Sequence, residues 1–213
     1  MRTYPAQLKV EGKDALVVGG GPVAAAKARA LVEGGARVRI VAPRLSREME
    51  QLIRDARLPW IARDFVPEDL DSVWIAVGAT DDSAVCQRVF EEAERRRVLV
   101  CIADDPGRSN FILPAVLRRG DLVVTVSTSG TAPAFAARLR DYLGEILGEQ
   151  YGAVLPLLGS LRDELKARYP EFGERRAAWY RLLDSEILPA LRRGQLPALR
   201  VAGAKREEEV LPG

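Results

Sequence analysis

The chain has 213 residues, 47% of them hydrophobic and 29% charged, with a formal net charge of +2. This is an ordinary globular composition, and so small a charge gives no reason to expect a nucleic-acid or membrane partner. Histidine is absent, which excludes Ser-His-Asp and Cys-His catalysis and any His-ligated metal. Proton transfer near neutral pH therefore falls to a carboxylate, lysine, tyrosine, cysteine or water.

In chain order, Met1-Arg2-Thr3-Tyr4-Pro5 lacks the apolar core of a signal peptide, and no apolar run is long enough to cross a bilayer. The expected compartment is the cytoplasm. Residues 15–18 read as a strand, 23–33 as a helix and 37–42 as a second strand. Residues 46–56 read as a helix with Ser46 at its N-cap. A short strand is expected at 60–65, another at 72–77, a helix at 82–95 and a strand at 98–103. Strands alternating with helices predict a parallel sheet wrapped on both sides, and right-handed crossovers make it an α/β, Rossmann-like fold. Cys86 and Cys101 make neither a CxxC pair nor a disulfide framework and read as buried free thiols.

After residue 110 the pattern changes. Residues 112–117 and 122–127 flank Arg118-Arg119-Gly120-Asp121, a hairpin pattern. Residues 134–147 form a helix whose stripe of Phe135, Leu139, Tyr142, Leu143 and Leu147 demands burial, in a dimer interface or in the core of one chain. Residues 151–193 are helical, with Trp179, Tyr180, Leu182 and Leu183 on an apolar face, and the charged tail 203–209 is expected to fray. The expected organisation is a nucleotide-binding domain over 1–113, a dimerisation region over 114–150 and a helical C-terminal domain over 151–213.

Chemistry concentrates at the ends of the predicted strands, where open α/β sheets bind ligands. The run Leu16-Val17-Val18-Gly19-Gly20-Gly21-Pro22-Val23-Ala24 carries the G-x-G-x-x-A dinucleotide fingerprint between a strand and a helix. Gly19 permits the tight turn, Gly21 admits a pyrophosphate, Ala24 packs the helix on the strand, and the helix start attracts the phosphates. The second strand ends in Ala42-Pro43-Arg44 without the acid that usually holds the adenosine ribose. Arg44 is left to meet a 2′-phosphate or to cover the adenine. Next comes Gly78-Ala79-Thr80-Asp81-Asp82, whose small residues let the backbone lie against a cofactor at Thr80 and Asp81. One of the two aspartates also suits a helix cap. The last strand ends in Ala103-Asp104-Asp105-Pro106-Gly107, where Asp104 is the first residue off the sheet. Poor solvation of Asp104 would raise its pKa toward that of a general base, although Asp-Asp-Pro-Gly is also a good turn.

Taken in order, these residues resemble the precorrin-2 dehydrogenase family of sirohaem biosynthesis, to about residue 185. The similarity also takes in Lys27-Ala28, Phe111-Ile112-Leu113-Pro114-Ala115, Arg119-Gly120-Asp121-Leu122 and Ser127-Thr128-Ser129-Gly130-Thr131-Ala132-Pro133. The resemblance implies NAD-dependent oxidation of precorrin-2 to sirohydrochlorin by a homodimer. It places Asp104 on the family's key aspartate, as the proton acceptor while the nicotinamide takes a hydride. It puts Pro22 and Val23 on the pyrophosphate turn, Pro43 and Arg44 past the second strand, and Thr128 where some members line the tetrapyrrole site with serine. A carboxylate-rich substrate calls for arginine. Arg108, Arg118, Arg119, Arg138 and Arg140 are the candidates, Arg119 foremost. Cys86 and Cys101 replace asparagine common in relatives, and Ala132 replaces serine. No metal site is expected and iron insertion is expected to be minor, although bifunctional relatives use the same aspartate. With no methyltransferase segment, uroporphyrinogen methylation is not expected of this chain. The competing class is a non-catalytic NAD-sensing dimer, which has no use for Asp104 or the 111–133 segment.

Overall fold

The computed structural model describes residues 3–197; the charged tail 203–209 lies outside them. Five parallel strands form a sheet in the order β3-β2-β1-β4-β5. They are β1 (Asp14–Val18), β2 (Arg37–Val41), β3 (Trp60–Ile61), β4 (Ile75–Gly78) and β5 (Leu99–Ile102). Helix α1 (Pro22–Glu33) follows β1, α2 (Arg47–Ala56) follows β2, and α3 (Ser83–Arg96) follows β4. From β1 the chain winds outward to β2 and β3, then returns to place β4 on the other side of β1. The reversal makes the end of β1 the topological switch point, where such sheets bind ligands.

Period-two alternation along the strands builds two cores. Ala15 and Val17 of β1 join Ala24, Ala25 and Ala28 of α1 and Met49 and Leu52 of α2 on one face. Leu16 and Val18 join Cys86, Val89 and Ala93 of α3 on the other. Alanine dominates the inner face of α1 and lets that helix lie close to the sheet. Both cysteines are free and buried, and burial pushes the Cys101 thiol up against the opposing Lys27 charge.

Two expected strands are shorter. The one expected from residue 72 starts at Ile75, because a 3₁₀ turn at Pro67–Leu70 leads through Ser72 at φ +62°. The one expected over 60–65 stops at Ile61, and Phe65 instead fills the α3-side core. At the exposed edge, the outward N–H groups of β5 are satisfied by side chains. Val100 donates to Asn110 Oδ1 (2.7 Å) and Ile102 to Ser109 Oγ (2.9 Å), which blunts an edge otherwise open to pairing.

The chain divides into two compact units, the first running to Leu113 and reclaiming Ser129–Thr131, the second comprising Pro114–Thr128 and the chain from Ala132 onward. In the second unit, β6 (Ala115–Arg119) and β7 (Leu122–Val126) pair antiparallel. Residues 112–114 stay outside the hairpin, since Pro114 has no N–H to give a ladder. Helix α4 (Pro133–Ile146) packs on β6 and β7. It buries Ala136 but leaves Phe135, Tyr142 and Ile146 at 62%, 57% and 50% exposure. Of the stripe expected to need burial, Leu139, Leu143 and Leu147 are half-buried, while Phe135 and Tyr142 are left uncovered among the described residues. Next come α5 (Gln150–Ala153), α6 (Leu155–Arg168) and α7 (Phe172–Leu182). A π-helical turn, Leu183–Ile187, leads into α8 (Leu188–Arg192). Val154, Ile187 and Leu191 form the small core here, with Leu182 and Leu183 packed on it. Tyr180 stays exposed, so the apolar face expected over 179–183 is only half used.

Candidate active site

In-register pairing lines up the carboxyl ends of the strands. Val18 is opposite both Val41 and Gly78, and Gly78 is opposite Ile102. Gly19–Val23, Pro43 and Arg44, Thr80 and Asp81, and Asp104 therefore leave the sheet along one rim.

The glycine turn is tighter than its motif implies. Gly19 has φ +130°, and a Cβ there would collide with the Ala79 carbonyl; one at Gly20 would collide with the Arg44 carbonyl. Gly20 also accepts a 2.7 Å hydrogen bond from Ser46 N–H, tying the turn to the loop after β2. Sequence reasoning gave Gly20 no role. The signal was a third consecutive glycine, one more than the turn and the phosphate approach require. Gly21 faces open space, with nothing within 4 Å of where a Cβ would stand.

Electrostatics at the helix starts differ. Ser46 Oγ accepts from Met49 N–H to cap α2, and Asp82 Oδ1 accepts from Ala84 and Val85 N–H to cap α3. Helix α1 has no side-chain cap and no acid in its first turn. Ala25 N–H bonds back to Gly21 O (3.0 Å), so the donors of Val23 and Ala24 ahead of it are those a helix start leaves unpaired. Open Gly21 and an uncapped α1 together make an anion-binding corner.

Thr80 Oγ1 accepts from Asp82 N–H (3.3 Å) and shapes the loop, while Asp81 is exposed beside it. Pro43 and Arg44 are exposed, and neither carries a carboxylate for a ribose.

The two aspartates after β5 divide their roles. Asp105 N–H bonds to Ile102 O (3.2 Å), closing a turn with Asp104 at its tip, φ +59°. The Asp105 carboxylate is hydrogen-bonded by Arg108, which holds it below the usual aspartate range. Asp104 is exposed rather than poorly solvated, and among the described residues no hydrogen bond or ion pair engages its carboxylate. The desolvation expected for it is therefore not supplied within this unit. Ser129–Thr131 return to the first unit, and Gly130, at φ +81°, lies against the Pro106 ring next to this turn.

In the second unit, Thr128 Oγ1 accepts from Ala132 N–H (3.0 Å), leaving the hydroxyl proton available. Arg119 has a different task from the one expected. Its Nε and Nη2 donate to the Leu147 and Gly144 carbonyls (3.0 and 3.1 Å), closing the C-terminus of α4, and Nη1 pairs with Glu149. Arg108 is likewise engaged by Asp105 and by Ser83.

Comparison with known proteins bears on the family and the fold. Residues 6–115 match a family model described as putative NAD(P)-binding. Residues 119–145 match a sirohaem biosynthesis central region, and 150–205 a sirohaem synthase dimerisation region. A "Siroheme synthase 3" of Aeromonas hydrophila subsp. hydrophila is 41% identical over 91% of the chain, and a "Siroheme synthase 1" of Yersinia enterocolitica is 39% identical over 99%. The chain spans only 42% and 43% of the length of these two relatives. Among solved structures, "SirC, precorrin-2 dehydrogenase" superposes with a TM-score of 0.72 at 26% identity, covering 86% of this chain and 90% of that one.

Proposed function

The chain belongs to the putative NAD(P)-binding family, and from that premise we propose that it is an NAD-dependent dehydrogenase oxidising precorrin-2 to sirohydrochlorin. The observation that carries this is the uncapped start of α1 beside the open face of Gly21. It offers unpaired N–H donors and a partial positive charge where a dinucleotide pyrophosphate lies in such folds. The likeness to SirC along nearly the whole of that chain supports the substrate.

The residues present fit NAD. Gly21, Pro22 and Val23 would hold the pyrophosphate, Pro43 and Arg44 the adenosine, and Thr80 and Asp81 the ribose on the nicotinamide side. NAD bound there supplies the hydride acceptor. The substrate loses a hydride and a proton, and Asp104 Oδ takes the proton and releases it to water, to which its exposed position gives access. In this scheme the Thr128 hydroxyl donates to a substrate carboxylate. The active form is a homodimer, consistent with the match to a dimerisation region and with the uncovered aromatic side chains of α4.

Incubation of the purified chain with precorrin-2 and NAD tests the reading. NADH absorbance is expected to rise in step with sirohydrochlorin. NAD binding without turnover would leave a nucleotide sensor instead.

A further inference from the structure

Lys27 of α1 is a half-buried cation without a counter-ion. Among the described residues, no hydrogen bond or ion pair engages it. The buried face of α1 is made by Ala24, Ala25 and Ala28. Lys27 stands three residues after Ala24 and four before Leu31, so at about 3.6 residues per turn it borders that face on the side opposite Ala25. A helical side chain leans toward the N-terminus of its helix, which turns Lys27 back toward the rim where the strands end. The sheet shows what lies beneath it. Val17, Val77 and Cys101 form a row across β1, β4 and β5, and both valines belong to the core under α1. The buried Cys101 ends this row just ahead of the Asp104 turn. The charges of Lys27 and Asp104 both reach its thiol, with opposite effects. A cation from α1 and a carboxylate from the turn after β5 thus come to the same end of β5, yet they form no ion pair with each other.

One kind of ligand supplies what both groups lack: an acid with a carboxylate for the ammonium and, close by, the proton that Asp104 takes. We propose that Lys27 is a further substrate-binding residue, its ammonium donating to a carboxylate of the substrate held beside Asp104; that this substrate is a tetrapyrrole acid rests on the proposed function. An ammonium hydrogen-bonded to a carboxylate is among the stronger polar contacts, and it fixes the position of a charged edge. The cofactor's pyrophosphate is the poorer partner. At Gly21 the free N–H donors of the α1 start already serve it, whereas Lys27 borders the flank toward β5.

The test compares Lys27→Met, which keeps the aliphatic stem without the charge, with Lys27→Arg, which keeps the charge. In Lys27→Met the KM for precorrin-2 is expected to rise roughly tenfold or more, the usual worth of a hydrogen bond to a charged group, while kcat stays near that of the wild type. NAD affinity by titration calorimetry should not change, and Lys27→Arg should recover most of the loss. Uroporphyrin I, a stable polycarboxylate porphyrin, should bind Lys27→Met more weakly in equilibrium dialysis with NAD present. If far-ultraviolet dichroism shows that Lys27→Met does not fold, Lys27→Gln carries the same expectations. KM and porphyrin affinity unchanged in the neutral variant overturn the proposal and leave a solvated lysine. A fall in NAD affinity also overturns it, by assigning the cation to the cofactor, as does a loss that Lys27→Arg fails to relieve. If wild type binds porphyrin through Lys27 but never oxidises precorrin-2, the catalytic reading fails while Lys27 stands as a carboxylate-binding residue.

Discussion

Gly20 and Asp104 show how differently single residues act along the rim. At Gly20 the constraint is steric, because the Arg44 carbonyl occupies the space of a Cβ. Gly20→Ala must displace the loop after β2, and with it the Ser46–Gly20 hydrogen bond. The expected outcome is a cofactor affinity at least tenfold weaker by titration calorimetry. At Asp104 the constraint is chemical. The carboxylate holds nothing in place within the described chain, so Asp104→Ala should fold normally and bind NAD as wild type does. Its kcat for precorrin-2 oxidation is expected to fall by roughly 100-fold, the usual loss on removing a general base. NADH formation at the wild-type rate would remove Asp104 from the chemistry.

Asp69 supplies a stability test away from the site. Its side chain is 4% exposed, receives two 2.7 Å hydrogen bonds from Arg63, and accepts from Val66 N–H. Burial pushes its carboxyl up, but the Arg63 hydrogen bonds, the Val66 N–H and the charges of Arg63 and Arg39 outweigh burial and hold it below the ordinary range. A depressed folded pKa contributes stability that is fully present above the unfolded value, about 3.9, and lost as pH falls through the folded one. Asp69→Asn should therefore lower the melting temperature at pH 7. Its deficit against wild type should shrink as melts are taken progressively below about pH 4. A deficit constant with pH would mean that the charge is not what matters.

At the scale of elements, α4 packs one face on the hairpin and, among the described residues, leaves large apolar side chains uncovered on another. Ala136 seats it on the hairpin, and Arg119 closes its C-terminus. Phe135, Tyr142 and Ile146 lie seven and four residues apart, on one helical face, and remain exposed. Clustered exposed aromatics mark interaction surfaces. On the dimer reading, Phe135→Glu/Tyr142→Glu should sediment as a monomer at micromolar concentration where the wild type is a dimer. A double variant that stays dimeric would move the interface elsewhere.

At the scale of the whole molecule, the residues proposed to hold the cofactor all belong to the first unit. A ligand that binds only the folded state stabilises it by about 2.7 kcal/mol at a hundred times Kd. NAD at that excess should raise the unfolding temperature of the wild type, and that of Gly20→Ala by no more than about half as much, since a tenfold weaker affinity leaves about 1.4 kcal/mol. NADP should give the smaller shift. An equal or larger NADP shift would assign Arg44, at a strand end without the usual ribose-binding acid, to a 2′-phosphate.

Local pattern determined much of this protein. The apolar runs meeting Gly19-Gly20-Gly21 and the alanine face of α1 are enough to specify a wound parallel sheet, because period and turn chemistry are short-range properties. The cap at Ser46 is legible for the same reason, whereas the α3 cap is legible only as a choice between Asp81 and Asp82, which the structure resolves to Asp82. What the tertiary structure alone decided depends on what lies across space. Gly20 matters because Arg44, distant in sequence, passes against it. Position off the sheet singles out Asp104 in the sequence, but nothing there shows that Arg108 engages its neighbour Asp105. Arg119 reads as a substrate cation until its fork meets the carbonyls at the end of α4. No spacing rule predicts which neighbour occupies a donor or fills the place of a missing Cβ. Those outcomes are set by packing between segments far apart in sequence.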